Sequence, residues 1–271
     1  MLDQIPFSLH FALIAAVIGA LLGRRIGWAI RAWPGHEEFH CDYLYCPDCE
    51  GGKRRGCYNA GRTQDKLYTL FSCLVAGLSV AYFGPSLKAF ISWIFAVSCL
   101  IITVVDMRFL IIPDTLSING CWTGLLFAAG CWGWLKMGYA MPSYYVSFEE
   151  SLIGFVLGGG FLWLLGWLAL ILLKKEGMGG GDVKLLAAFG AWAGWKVVLG
   201  TVVVASFLGA TFGILGIIYR KIRYGAEYKP LSHMIPFGPY LCVAFLFIFY
   251  CGLDPLFRLM EIYNGWLLGT H

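Results

Sequence analysis

Two acidic stretches in this 271-residue chain carry residue types suited to chemistry. The first, Asp106-Met107-Arg108-Phe109-Leu110-Ile111-Ile112-Pro113-Asp114, follows an apolar run that ends in Thr103-Val104-Val105. The second, Gly177-Met178-Gly179-Gly180-Gly181-Asp182-Val183-Lys184, lies between two long apolar segments. A charge at membrane depth costs at least about 2.5 kcal/mol, so a carboxylate in such surroundings marks a functional site. Two aspartates sharing a site can hydrolyse a peptide through a single water. One takes the water's proton while the other, protonated, polarises the scissile carbonyl. Like charges that close cannot both ionise, so such a pair titrates as a unit with separated apparent pKa values. Gly179, Gly180 and Gly181 remove the side-chain screen around Asp182 and let another backbone, such as a substrate's, come close.

Structural roles stand beside the chemical ones. Asp114 follows Pro113 and opens a helix, so N-capping is its expected job. Capping of a span that begins at Val183 is the structural alternative for Asp182. Lys184 is two residues from Asp182, a spacing that does not bring them onto one helix face, so it is expected to mark the membrane interface.

A third constellation reads Cys41-x4-Cys46-x2-Cys49-x7-Cys57, with His36 and His40 nearby. Cys46-Pro47-Asp48-Cys49 has knuckle spacing for tetrahedral zinc, and Cys57 with Cys41 or His40 completes four ligands. No metal, or redox chemistry, are the alternatives. The other six cysteines, Cys73, Cys99, Cys121, Cys131, Cys242 and Cys251, are scattered through apolar runs and read as small packing residues.

The elements that must position these groups follow from composition. At 59% hydrophobic and 13% charged residues, with a mean hydropathy of +0.72, the chain is a polytopic membrane protein rather than a soluble domain. Lipid offers backbone groups no hydrogen-bond partner, and apolar runs without alternating polarity select helices over a barrel. The expected class is all-α, with eight spans near 6–23, 67–83, 89–105, 115–135, 151–173, 183–195, 197–219 and 234–252. The span at 183–195 is the shortest, lengthened by the glycine loop or by tilt.

With the N-terminus outside, sixteen of the twenty Lys and Arg residues collect on one face. Lys88, Lys136, Lys196 and Arg258 lie on the other. That bias puts the first face in the cytoplasm, and with it the cysteine stretch, Asp106 and Asp182. Disulfides in the cluster are thereby disfavoured. The N-terminal run has Asp3 and no basic residue before it, while Arg24 and Arg25 follow, the reverse of a signal peptide. The chain is thus expected to comprise a first span (1–23), a cytoplasmic Cys-rich segment (24–66) and a multi-helix membrane domain (67–271).

The ordered motifs resemble those of the type IV prepilin peptidases, membrane aspartic proteases of the GxGD type. The likeness rests on Gly179-Gly180-Gly181-Asp182 followed by Val183-Lys184-Leu185-Leu186-Ala187-Ala188-Phe189-Gly190, on Asp106 through Ile112-Pro113-Asp114, and on Ile235-Pro236-Phe237-Gly238-Pro239-Tyr240. It implies Asp106 and Asp182 as the catalytic pair, with Gly179, Gly181, Lys184 and Asp114 supporting the catalytic loop. The implied substrates are prepilins and pseudopilins, cut after glycine at the cytoplasmic face of the bacterial inner membrane. The likeness also implies S-adenosylmethionine-dependent N-methylation of the new N-terminus. Many members carry two CxxC pairs; here Cys46 and Cys49 match the first, Ala60 stands where the partner of Cys57 is expected, and Cys41 supplies the fourth thiol. No glycine-rich nucleotide fingerprint follows a predicted strand. Membrane lipid is an expected partner and nucleic acid is not. The rival readings are a GxGD protease for other membrane substrates, such as preflagellins, and a cation transporter or metal sensor.

Overall fold

The computed structural model describes residues 5–32, 61–174, 179–224 and 236–268. The cysteine cluster and its neighbouring histidines lie outside them. Among the described residues there are nine α-helices and no strand: α1 (Ile5–Ala32), α2 (Gly61–Phe83), α3 (Leu87–Phe109), α4 (Asp114–Lys136), α5 (Phe148–Leu173), α6 (Gly180–Ala193), α7 (Trp195–Tyr224), α8 (Gly238–Cys251) and α9 (Asp254–Leu268). Each expected span overlaps a helix, although residues 234 and 235 of the last lie outside the described residues and the span at 183–195 is broken at Gly194. The ninth helix, α9, was not expected, because its charges interrupt the apolar run on which a hydropathy reading depends. The helices flanking the cysteine stretch also run further than expected, α1 on through Arg24 and Arg25 to Ala32 and α2 back to Gly61. Apolarity reports where lipid begins, not where a helix ends, and arginine stems extend along a helix towards water.

Length and apolarity suffice for a membrane crossing in α2, α3, α5 and α7, and in a fifth span if α8 and α9, bent by 93°, are taken together. Apolar side chains make up much of the uncovered surface along these runs. Trp163, Leu164, Trp167 and Ile171 of α5 each leave at least half of their surface open, as lipid-facing residues do. At 14 residues, α6 reaches only about 21 Å, short of the roughly 30 Å hydrocarbon core. It is enclosed by protein instead, and every residue from Leu185 to Ala191 is buried.

The helices group into two compact units, Met1–Ile111 with Pro142–Tyr144, holding α1 to α3, and Ile112–Met141 with Tyr145–His271, holding α4 to α9. In the first unit α1 and α2 cross closely and antiparallel. A Cβ on Gly19 would lie 2.7 Å from both the Ala76 Cβ and the Ser72 carbonyl oxygen, and one on Gly23 would lie 2.9 Å from the Ser72 Cβ. Ser72 donates its hydroxyl to the Gly19 carbonyl at 2.8 Å and accepts the Trp93 indole N–H at 3.2 Å, joining α1, α2 and α3 at one buried polar point. Such a hydroxyl must find a partner inside the protein because lipid offers none.

The second unit is built around α6. Gly154 and Gly158 of α5 meet the α6 backbone at Gly190 and Leu186, so closely that a Cβ on Gly190 would overlap the Gly154 carbonyl. Ser151 adds a hydrogen bond to the Ala191 carbonyl at 2.5 Å. These pairs advance in opposite directions along the two chains, so α5 and α6 are antiparallel. On the other side, Gly120 and Gly124 of α4 face Ala188 and Ala191 in the same chain order, so α4 and α6 are parallel. The Trp192 indole donates to the Gly120 carbonyl at 3.0 Å and stacks on Phe127. Phe189 stacks on Phe245 of α8 with centroids 3.9 Å apart. Gly194, at φ +80°, makes the turn into α7, a conformation a side chain would resist. Small residues on facing stripes suit helices in lipid, where close van der Waals packing must replace a hydrophobic drive.

Gly190→Ala is therefore expected to destabilise the protein by about 1–3 kcal/mol or more, since backbone rather than a movable side chain must yield. Gly160→Ala, with nothing within 4 Å of the added methyl, should change stability by no more than about 1 kcal/mol. Unfolding of both variants in detergent micelles checks the contrast.

Candidate active site

Asp182 is the third residue of α6. The helix opens at Gly179, which has extended backbone (φ −69°, ψ 135°) and no side-chain cap. The Asp182 N–H is already given to the Gly179 carbonyl at 3.2 Å. The structural alternative, in which Asp182 caps a helix starting at Val183, does not hold: Gly180 and Gly181 fold into the helix start, which puts the carboxylate inside the first turn. There it complements the positive end of the helix dipole. Its Oδ1 is shut off from the surroundings by protein.

The glycines beside it differ in function. A Cβ on Gly181 would lie 2.9 Å from the Ile112 Cβ, so this position is glycine to let α6 sit on the Ile112-Pro113 segment, both residues of which are buried. At Gly180 no atom of the described residues lies within 4 Å of where a Cβ would sit. Gly179 would bring a methyl into ordinary contact with the Asp182 Oδ2, at 3.5 Å.

Asp114 does not cap α4. The cap is Pro113 (φ −59°, ψ 119°), which makes no side-chain cap bond, and Asp114 is the first helical residue. Its carboxylate turns to Lys184, whose Nζ lies 2.7 Å from the Asp114 Oδ1 with both side chains about half exposed. Lys184 is thus an ion-pair partner of α4 as well as a residue near a helix end. Its backbone is held by the same helix, since the Cys121 thiol donates to the Lys184 carbonyl at 3.6 Å. Three contacts from α4 and the residues before it therefore fix the first turn of α6: Ile112 under Gly181, Asp114 on the Lys184 ammonium and Cys121 on the Lys184 carbonyl. Sequence reasoning missed Ile112 and Cys121. The only signal was their place just before and within the helix that opens at Asp114.

In the other unit, Asp106 occupies the last turn of α3 and is buried, at 5% exposure, whereas Met107 and Arg108 beside it are exposed. The helix ends three residues later, at Phe109. Leu110 takes left-handed backbone (φ 55°) and its N–H closes onto the Asp106 carbonyl at 2.8 Å. Lys174 ends α5 in the same way, at φ 54°. A left-handed residue other than glycine costs about 1–2 kcal/mol, and such strain gathers near functional sites. Both occurrences lie on the chain shortly before or after a candidate carboxylate.

The late Pro-Phe-Gly-Pro-Tyr segment opens α8, with proline in its first turn, where the missing N–H costs nothing. Phe237 and Tyr240 both face Gly209 of α7, at 3.6 Å from where its Cβ would be. Of the scattered cysteines, Cys99, Cys121, Cys131 and Cys242 are buried and all six are free thiols, Cys251 alone among them being exposed. Among the described residues no cluster of His, Cys, Asp or Glu is arranged to hold a metal.

Gly181→Ala should destabilise by about 1–3 kcal/mol through the Ile112 conflict. Gly180→Ala should be neutral or stabilising by up to about 1 kcal/mol, because alanine is the better helix former. Lys184→Ala should cost no more than about 1 kcal/mol, as befits a half-exposed pair. Denaturant unfolding of the three variants separates these effects.

Residues 93–214 match the model of the Type IV leader peptidase family. Curated proteins named prepilin leader peptidase/N-methyltransferase are similar to this chain. That of Pseudomonas aeruginosa is 34% identical over 194 residues, 72% of this chain and 60% of that protein. That of Aeromonas salmonicida is 35% identical over 197 residues, 71% of this chain and 60% of the relative. The Burkholderia pseudomallei protein is 31% identical over 215 residues, 79% and 62% of the two chains. The chain therefore spans only about three fifths of the length of these relatives. No solved structure matches it. The matched segment runs from within α3 to within α7 and contains both Asp106 and Asp182, so this chain carries a domain of the type IV leader peptidase family.

Proposed function

We propose that the chain is a membrane aspartyl endopeptidase that removes the leader of type IV prepilins and pseudopilins, cutting after glycine at the cytoplasmic face of the inner membrane. The observation that carries this reading is the placement of Asp182. It is held in the first turn of a short helix that protein encloses, with one carboxylate oxygen shut off and open space beside Gly180. The match of the segment holding both aspartates to the leader peptidase family supports it.

In this reading Asp106 and Asp182 act on one water. The ionised carboxylate takes a proton from it, the water oxygen bonds to the scissile carbonyl carbon, and the protonated carboxyl gives its proton to the carbonyl oxygen. Collapse of the resulting gem-diol breaks the C–N bond as the leaving nitrogen gains a proton. The products are a leader ending in a glycine carboxylate and a mature chain with a free amine. Gly180 admits the extended leader backbone, and Lys184, held by Asp114, keeps the turn bearing Asp182 in register with α4. The lysine and arginine distribution supports an orientation with the N-terminus outside. The parallel α4 and α6, with α5 antiparallel between them in sequence, fit the alternation that consecutive crossings need in either orientation.

We further propose that the new amine is N-methylated, a reading supported by the names of the relatives and by Cys46 and Cys49 at the first CxxC. Cys41, Cys46, Cys49 and Cys57 would hold a structural zinc ion in that stretch. S-adenosylmethionine would supply the methyl group.

Asp106→Asn and Asp182→Asn should each lower leader cleavage by a factor of about 10²–10⁴ or more while leaving membrane insertion intact. Purified protein incubated with a prepilin, followed by mass spectrometry, reads the cut, its position after glycine and any added methyl group. Normal cleavage by either variant would sink the pair. In the same preparations Cys46→Ser should lose bound zinc yet keep cleavage, with metal content read by elemental analysis. Zinc retained in that variant would remove Cys46 from the ligand set.

A further inference from the structure

The outward side of α4 is open. At about 100° per residue, the buried Ser117, Cys121, Gly124, Ala128 and Cys131 fall within one narrow arc of the helix, the side that α6 covers. Ile118, Asn119, Trp122 and Leu126 fall in an arc of about 120° on the opposite side, and Gly130 and Gly133 continue it. The four side chains are exposed, Trp122 at 64% and Leu126 at 68%. No atom of the described residues lies within 4 Å of where a Cβ on Gly130 or Gly133 would be.

Lipid is a poor cover for this side. Antiparallel to the crossing helix α5, α4 has 23 residues and reaches about 34–35 Å, enough for the roughly 30 Å hydrocarbon core. It is nevertheless less apolar than α2, α3, α5 and α7, whose composition alone suffices for a crossing. Part of the shortfall stands on the open side. Thr123, at its edge, satisfies its hydroxyl on the Asn119 carbonyl at 2.7 Å. Asn119 has no such recourse, and among the described residues its side-chain amide has no hydrogen-bond partner. It lies five residues into the helix, about 7–8 Å along the axis from Asp114, where hydrocarbon supplies no acceptor.

A cover that brings acceptors to this depth is another membrane helix. Small residues such as Gly130 and Gly133 admit a second helix backbone closely, which is how helices associate in lipid. Position selects which helix. Ile118 lies one turn beyond Asp114, whose carboxylate holds Lys184 two residues from Asp182, so the stripe begins at the turn that bears the candidate carboxylate. A helix laid along it leaves the bilayer at that turn. In the function proposed above, on which this inference rests, the cut falls at the membrane face, and the part of the substrate left in lipid must be helical. A contact between two copies of the chain has no need of that placement.

We infer that the open side of α4 docks the membrane helix of the substrate, an apolar helix that sets a hydrogen-bond acceptor against the Asn119 amide and approaches closest at Gly130 and Gly133. Trp122 and Leu126 supply the apolar contact between these points. None of these side chains is among those that fix the first turn of α6, so the dock acts on substrate binding and leaves the chemical step alone.

The test uses the full chain in vesicles with a tagged prepilin. p-Benzoylphenylalanine replaces Trp122 or Leu126 on α4 or, as comparably open positions on α5, Trp163 or Leu164. After irradiation, positions 122 and 126 should join to prepilin, and positions 163 and 164 to lipid alone. Separately, Asn119→Leu should raise KM for prepilin about 2–10-fold, the loss of one hydrogen bond, with kcat unchanged. A leader peptide that stops before the membrane helix should be cut equally well by this variant and by the unaltered chain. Adducts from α4 with lipid alone, or with a second copy alone, overturn the dock. So do equal prepilin adducts from α5, an unchanged KM, or the same rise in KM with the truncated peptide. If the unaltered chain fails to cut prepilin, the proposed function falls and the dock falls with it. Normal cutting together with any of the other contrary results removes the dock alone.

Discussion

Backbone contact between α5 and α6 is the constraint on which the α4 to α9 unit depends. Where Gly154 faces Gly190 and Gly158 faces Leu186 there is no space for a methyl group, so the two helices approach as closely as main chains can. In lipid, apolar side chains gain little by leaving one hydrocarbon environment for another, and association rests on packing and on hydrogen bonds. The Ser151 hydroxyl on the Ala191 carbonyl supplies such a bond beside the glycine contact. A 14-residue helix that cannot cross a bilayer unaided is thereby held at fixed depth and register, and the residue at its start takes a fixed position.

The start of α6 is finished by interactions of another kind. Ile112 needs Gly181 to remain a glycine, and the Asp114–Lys184 pair and the Cys121 thiol grip Lys184 by side chain and backbone. The ion pair contributes little to stability at its exposure. Its value is geometric, as it opposes rotation of a turn that bears Asp182 one residue before Val183. The buried packing therefore supplies the energy and the polar contacts supply the aim. The water activation proposed for Asp182 needs both, since misplacement by about 1 Å can cost two orders of magnitude in rate.

The helices were legible because apolar runs and the scarcity of hydrogen-bond partners in lipid leave few other structures. Asp106 and Asp182 stood out for the same reason, as charges in apolar surroundings. Asp114 was misread because a proline-aspartate start looks like a cap locally, whereas its true partner is Lys184, 70 residues away. No local pattern encodes that distance. Gly154 and Gly158 are visible in sequence as a small-residue repeat, but the identity of the facing helix is a tertiary fact. The last helix was lost because its charged stripe lowers hydropathy while leaving helical periodicity intact.

The central claim is that α6 presents Asp182 as one of two carboxylates sharing a single water, the other being Asp106. It is tested most directly by an experimental structure of the chain with a leader peptide whose scissile carbonyl is replaced by a tetrahedral hydroxyl. The account predicts that hydroxyl within about 2.6–3.2 Å of an oxygen from each of the two side chains, with the peptide backbone passing beside Gly180. A hydroxyl bonded to only one aspartate, or a metal ion between the two, would contradict it.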